Sequence, residues 1–129
     1  MRLLLDTHLL LWALATPDRL DATARAALED PENEVLFSAA SLWEIAIKAA
    51  LGRSDFSCDP QQVLQAALET GFVELPVRAA AAVLAGSLPP HHRDPFDRLL
   101  VAQAIREPVR FYTADATLPV YSELVTLVR

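Results

Sequence analysis

Short apolar runs alternate along this chain with longer stretches of helical period. Arg2–Leu5 reads as a strand, followed by a helix over His8–Leu14 and another over Ala22–Glu29. Glu34–Ser38 is the next strand, and the helix after it runs from about Ala39 to Leu51, where Gly52 stops it. Gln61–Thr70 is helical, and Phe72–Leu75 is a strand that Pro76 ends. Helices follow at Val77–Leu84 and Pro95–Arg106, with closing strands near Arg110–Thr113 and Leu124–Val128. Strands alternating with helices predict an α/β layer fold with a mainly parallel sheet. Ligands of such sheets bind beyond the carboxyl ends of the strands. No repeat, low-complexity tract or linker interrupts the pattern, so residues 1–129 are expected to form one domain.

Composition narrows this picture. A domain of 129 residues buries roughly two-thirds of its unfolded surface and needs no disulfide or structural zinc. The single cysteine, Cys58, agrees and fits a reducing cytoplasm. Met1–Leu5 with Ala13-Leu14-Ala15 imitates a secretory signal, but Asp6 and His8 interrupt the apolar run. It is also far too short to span a membrane. A hydrophobic share of 53% and mean hydropathy of +0.25 leave two readings open: an Ala- and Leu-rich core, or apolar surface kept for a partner. The net charge of −6 argues against a generic nucleic-acid coat. It does not exclude a nuclease, because a divalent ion held by carboxylates reverses the sign that a phosphate meets.

Acidic residues stand where the sheet rule directs attention. Asp6 directly follows the first strand, Glu44 lies in the helix after the second, Asp94 and Asp97 open the late helix, and Asp115 follows Arg110–Thr113 by two residues. Each also has a structural explanation. Asp94-Pro95 reads as an N-cap with proline at the first helical position, and Asp97 suits the helix dipole. Ser41-Leu42-Trp43-Glu44 matches a capping box, while Glu44 and Lys48 form an i,i+4 pair worth only ~0.2–0.5 kcal/mol. Against these readings, Asp6 sits among leucines, and Glu44 and Lys48 are the only charges on an otherwise apolar helix. If the carboxylates converge, repulsion raises at least one pKa unless a cation intervenes. Hard oxygen ligands select Mg²⁺ or Mn²⁺ over zinc.

Four blocks together resemble the PIN-domain toxins of the VapC type. They are Asp6-Thr7-His8-Leu9-Leu10-Leu11-Trp12; Ser38 to Lys48, continuing to Leu51-Gly52-Arg53; His92-Arg93-Asp94-Pro95-Phe96-Asp97-Arg98-Leu99-Leu100 with Ala102-Gln103-Ala104; and Thr113-Ala114-Asp115 with Tyr121. The blocks follow the family's order and span nearly the whole chain. The resemblance implies a three-layer α/β/α PIN fold and a metal-dependent endoribonuclease using Mg²⁺ or Mn²⁺. It implies that Asp6, Glu44, Asp97 and Asp115 are the catalytic, metal-holding acids, with Asp94 a further candidate ligand or only a helix cap. Thr7, Ser38, Ser41 and Thr113 are then candidates to hold the carboxylates in place. Lys48, Arg53, Arg93 and Arg98 are candidates for RNA phosphate contacts or a solvated surface. Metal-activated water needs no histidine base, so His8, His91 and His92 read as packing or loop residues. Such toxins dimerise and are held inactive by a cognate antitoxin lying in an apolar groove. The stretch Leu9 to Leu14 with Trp12 is a candidate lining, or is simply buried.

Competing readings fit less well. A receiver-like signalling domain needs adjacent acids after the first strand and a late lysine, but Thr7 follows Asp6 and Lys48 is mid-chain. A haloacid-dehalogenase-type phosphatase needs Asp-x-Asp there, and His8 holds the second acid's place. An acidic-pocket domain that binds RNA without cutting it shares the same acids.

Overall fold

The computed structural model describes residues 1–128, with Asp55 described through its backbone alone. The strands are β1 (Arg2–Leu5), β2 (Glu34–Ser38), β3 (Val73–Leu75), β4 (Arg110–Thr113) and β5 (Val125–Leu127). The helices are α1 (Thr7–Ala15), α2 (Ala22–Glu29), α3 (Ala39–Ala50), α4 (Pro60–Thr70), α5 (Ala79–Ser87) and α6 (Pro95–Arg106). Every strand pair is parallel, in the order β3-β2-β1-β4-β5. Strands β1 to β3 build the sheet outward in one direction, and β4 then starts on the other side of β1. The chain therefore reverses its winding between β1 and β4, which is where open α/β sheets bind ligands.

Side-chain alternation along the strands divides the core in two. Leu3, Leu5, Val35, Phe37 and Tyr112 face a cluster that Leu9, Leu10, Ile45, Val63 and Ala67 complete from α1, α3 and α4. Leu4, Leu36 and Phe111 face the opposite way, against Leu100, Val101 and Ala104 of α6. Burial on both faces accounts for the continuous apolar runs of β1 and β2. The result is three layers, α/β/α. No helix of the described residues is long and apolar enough to cross a membrane.

Local chemistry sets most boundaries. Asp6, Asp21, Ser38, Asp59 and Asp94 each cap a helix by accepting from a backbone N–H. Gly71 ends α4 with φ of +93°, and the Gly71 and Phe72 N–H groups bond back to Leu68 and Ala67, a glycine C-cap. Two expectations need correction. The cap of α3 is Ser38, not a Ser41–Glu44 box, so Ser41 and Glu44 lie inside the helix and face the sheet's carboxyl edge. Helix α5 begins at Ala79 rather than Val77, with Arg78 still extended at φ −93°, ψ 153°, and ends at Ser87 rather than Leu84.

Ser38 also ties the layers together. Its hydroxyl donates to Gln103 Oε1 at 2.5 Å while accepting from Ala40 N, and Gln103 Nε2 reaches Pro76 O. Gln103 is 2% exposed, so losing this partner strands a buried carbonyl. Ser38→Ala removes a cap and leaves that orphan, and the expected cost is about 2–3 kcal/mol in urea unfolding. A loss below about 0.5 kcal/mol, the usual range for inert surface changes, would show that the link carries no stability.

Candidate active site

Strand ends, helix starts and the interior of α3 deliver five carboxylates to the carboxyl edge of the sheet. Asp6 leaves β1 and caps α1, its Oδ1 accepting from Leu9 N at 2.8 Å. Asp6 Oδ2 accepts from Thr113 Oγ1 at 2.5 Å and from Ala114 N at 3.4 Å, which joins the ends of β1 and β4. Glu44 rises from α3 and is 2% exposed. Thr7 Oγ1 lies 2.5 Å from Glu44 Oε1 and 2.9 Å from Ser41 Oγ. The one Thr7 proton serves the carboxylate, and Ser41 can donate to Thr7 in turn. Asp94 caps α6 through Phe96 N at 2.9 Å, and Asp97 stands in that helix's first turn. Asp115 Oδ1 accepts from Thr117 N and Thr117 Oγ1 at 2.9 and 2.7 Å.

Two basic side chains each span a pair of these acids. Lys48 Nζ is 2.5 Å from Glu44 Oε2 and 3.3 Å from Asp94 Oδ2. His92 Nε2 is 2.8 Å from Asp97 Oδ2 and 3.2 Å from Asp115 Oδ2. The loop carrying His92 is pinned by Tyr121, whose hydroxyl accepts from His92 N and donates to Pro89 O. His92 was read from the sequence as a loop or packing residue, and the structure places it among the acids. Its position immediately before the Arg93-Asp94-Pro95-Phe96-Asp97 block was the available signal, since a loop entering α6 must pass the acids of the first turn. Asp6, Asp94, Asp97, Asp115, Lys48 and His92 line a cleft of about 430 Å³ together with His8, Trp12 and Arg53.

The electrostatics follow from crowding. Burial, then the negative charges of Asp94, Glu44 and Asp6, push the Asp97 carboxyl up to about 7, against the hydrogen bond from His92. Burial also raises Asp6, although Thr113 and the Leu9 amide oppose it. For Asp115, partial burial works upward, but the Thr117 hydrogen bonds and the nearby histidines outweigh it and hold the group low. Burial likewise works against the Lys48 ammonium, yet Glu44 and Asp94 hold its pKa above the ordinary lysine value. The Nε2 of His92 and one oxygen from each of Asp97 and Asp115 all lie within 4.8 Å of one another. An oxygen-rich set of this kind, with one acid driven toward neutrality by burial and by crowding with other acids, fits a hard divalent cation.

The remaining candidates divide. Thr7, Ser41 and Thr113 contact the carboxylates or their partners, whereas Ser38 points to Gln103 on α6 and does not reach them. Arg98 is turned inward, its guanidinium bonded to the carbonyls of Ala85, Leu88 and His92, and it braces the α5–α6 loop rather than facing a phosphate. Lys48 is held by acids, so Arg53 and Arg93 are the exposed basic residues of the set.

The family model for the PIN domain matches residues 3–124. The chain belongs to the PIN-domain family. A curated PIN relative, Ribonuclease VapC22 of Mycobacterium tuberculosis (strain ATCC 25618 / H37Rv), is 35% identical over 118 residues, 89% of this chain and 88% of the relative. Solved structures share the PIN fold at low identity. The chain of VapBC2 from Rickettsia felis, crystallised with a promoter DNA fragment, superposes with a TM-score of 0.73 at 15% identity, each chain covered in full. FitAcB from Neisseria gonorrhoeae gives 0.58 at 20% identity, covering 97% of this chain and 96% of that one. VapBC-1 from nontypeable Haemophilus influenzae gives 0.57 at 18%, covering 89% and 87%.

Stability should respond to pH through the crowded acids of this PIN site. Asp97 and Asp6 have folded pKa values above their unfolded ones, so the folded chain binds the extra protons. The contribution of Asp97 is complete below about pH 4 and is lost as pH rises through about 7. In EDTA, Asp97→Asn should therefore be more stable than wild type at pH 8, by on the order of 1 kcal/mol or more, with the gap closing near pH 4. Thermal unfolding of both proteins across pH 4–8 measures this, and a variant no more stable at pH 8 than wild type would contradict it.

Proposed function

We propose that this PIN-domain chain is the toxin of a toxin–antitoxin pair and a Mg²⁺- or Mn²⁺-dependent endoribonuclease. The observation that carries the reading is the convergence of Asp6, Glu44, Asp94, Asp97 and Asp115 at the sheet's switch point, with Asp97 pushed to about 7 by burial and then by its acidic neighbours. The 35% identity to a protein named as a ribonuclease supports the same activity.

Asp97 and Asp115, with Asp6 behind them and His92 beside them, would hold the ion. When bound, it supplies charge neutralisation at the phosphodiester and a water of lowered pKa. The chain's own groups supply position. Thr113 fixes Asp6 and accepts from Asp115 N at 3.0 Å, so one buried hydroxyl aligns two acids. Thr7 and Lys48 occupy both oxygens of Glu44 and keep that carboxylate in one rotamer. Arg53, on the cleft wall, and the exposed Arg93, between His92 and Asp94 of the lining, are candidates to meet RNA phosphates.

The partners follow the same reading. A groove of about 560 Å³ runs along α1, lined by His8, Leu11, Trp12, Ala15 and Arg19, and it joins the acidic cleft through His8 and Trp12. An antitoxin segment lying there would cover the mouth of the active site. Trp43, 62% exposed on α3, is the side chain a homodimer would cover. A lone cysteine and an RNA substrate fit a cytoplasmic protein.

The test is cleavage of structured and single-stranded RNAs by purified, antitoxin-free protein. Cutting should require Mg²⁺ or Mn²⁺, stop in EDTA, and be lost in Asp97→Asn and Asp6→Asn. Thr113→Val should reduce activity or metal affinity about 10–100-fold, the usual effect of a residue that orients a ligand. Binding without cutting, weakened by salt rather than by EDTA, would instead identify an RNA-binding domain. Cutting that survives EDTA would overturn the metal-dependent mechanism.

A further inference from the structure

The chain treats the two halves of its acidic cluster differently. On one side, every carboxylate oxygen already has a partner. Glu44 Oε1 accepts from Thr7 and Oε2 from Lys48, while Asp94 Oδ1 caps Phe96 N and Oδ2 takes Lys48. On the other side, Asp97 and Asp115 meet at a single nitrogen of His92, and Asp115 Oδ1 takes the Thr117 amide and hydroxyl. No hydrogen bond engages Asp97 Oδ1 among the described residues.

Lys48 is the only lysine in the chain. Its side chain is 15% exposed and joins carboxylates from two different helices, α3 and α6. The Phe56 ring lies 4.9 Å from the ammonium and the Phe96 ring 5.8 Å, so aromatic faces wall it in and favour a cation there. A surface i,i+4 pair would instead swing freely in water. A second divalent ion between Glu44 and Asp94 would have to take oxygens that Lys48 holds and stand against a fixed positive charge.

We propose that Lys48 fills the second cation position of this cluster, so that the chain binds one divalent ion, on the His92–Asp97–Asp115 side, rather than two. The inference rests on the metal-dependent reading given above. Two-metal nuclease sites place a cation on each side of the reacting phosphate. Here the Lys48 ammonium lines the same cleft as Asp97 and Asp115 and presents a fixed positive charge in place of the second ion. Lys48 is thus a positioning residue for Glu44 and Asp94 and sets the metal count.

Titration of the purified full chain with MnCl₂ tests this, read by calorimetry and by the electron paramagnetic resonance signal of free Mn²⁺. Wild type should take up one ion per chain. Lys48→Met should take up two, and Lys48→Arg, which keeps the charge, should remain at one. Two ions in wild type, or one in a folded Lys48→Met protein, would overturn the proposal. If Lys48→Met does not fold, Glu44→Gln decides together with wild type. It should retain the single ion, whereas Asp97→Asn should bind at least about tenfold more weakly. Loss of the ion in Glu44→Gln alone would overturn the assignment. No uptake by wild type would remove the metal-dependent reading itself, and this inference with it.

Discussion

Repulsion among carboxylates is the constraint around which this structure is arranged. At an effective dielectric constant near 20, two like charges about 4 Å apart cost about 4 kcal/mol. A domain is stable by only ~5–15 kcal/mol in total. Five acids at one edge of the sheet are therefore tolerable only with compensation, and three kinds are present. Lys48 bridges Glu44 and Asp94, His92 bridges Asp97 and Asp115, and hydroxyl and amide donors surround Asp6. What is left uncompensated adds to the cost of burial at Asp97, whose carboxyl is driven to about 7. A fold that tolerates this residue is one in which a cation gains stability by binding.

The same residues build the fold and the site, and this links the two levels. Asp6 starts α1 and faces the cleft; Asp94 starts α6 and holds Lys48; Thr113 ends β4 and fixes both Asp6 and the Asp115 turn. Parallel topology makes the sharing possible. Every strand of this sheet points the same way, so the β1–α1 and β2–α3 junctions place their capping residues, Asp6 and Ser38, at one edge. Helix caps are often acidic because the first amides lack partners. At the switch point between β1 and β4, the caps Asp6 and Asp94 meet Glu44 from inside α3, Asp97 from the first turn of α6 and Asp115 from the turn after β4, and together they form a charge cluster.

Local signals in the sequence carried the reading far. The strands β1, β2 and β4 and the helices α2, α3 and α6 lie within a residue of where periodicity and breakers put them, and the rule about strand ends pointed to all five acids. What escaped depends on which distant element packs where. Ser38 and Ser41 are equivalent as sequence, but α6, some 65 residues away from Ser38, presents Gln103 to one of them, and α1 presents Thr7 to the other. The Glu44–Lys48 pair looks like a solvent pair until Asp94 arrives from 46 residues downstream and Phe56 and Phe96 close over it. His92 lies in an aperiodic loop whose path is set by Tyr121, and no spacing rule predicts that. The start of α5 moved because Val77 and Arg78, after Pro76, stay extended until the alanine run at Ala79.

An acidic chain acting on RNA is then no contradiction. The net charge of −6 is a property of the whole surface, whereas a phosphate responds to charges within about a Debye length of ~8 Å at physiological salt. Within that range it would meet the Lys48 ammonium and any divalent ion that the acids take up, with Arg53 on the cleft wall and Arg93 on the loop beside it. The negative remainder lies elsewhere and gives no general attraction for nucleic acid. Positive charge is thereby concentrated beside the acids, where the reacting phosphate would lie. A chain built this way is selective because, away from its cleft, it repels the polymer it cuts.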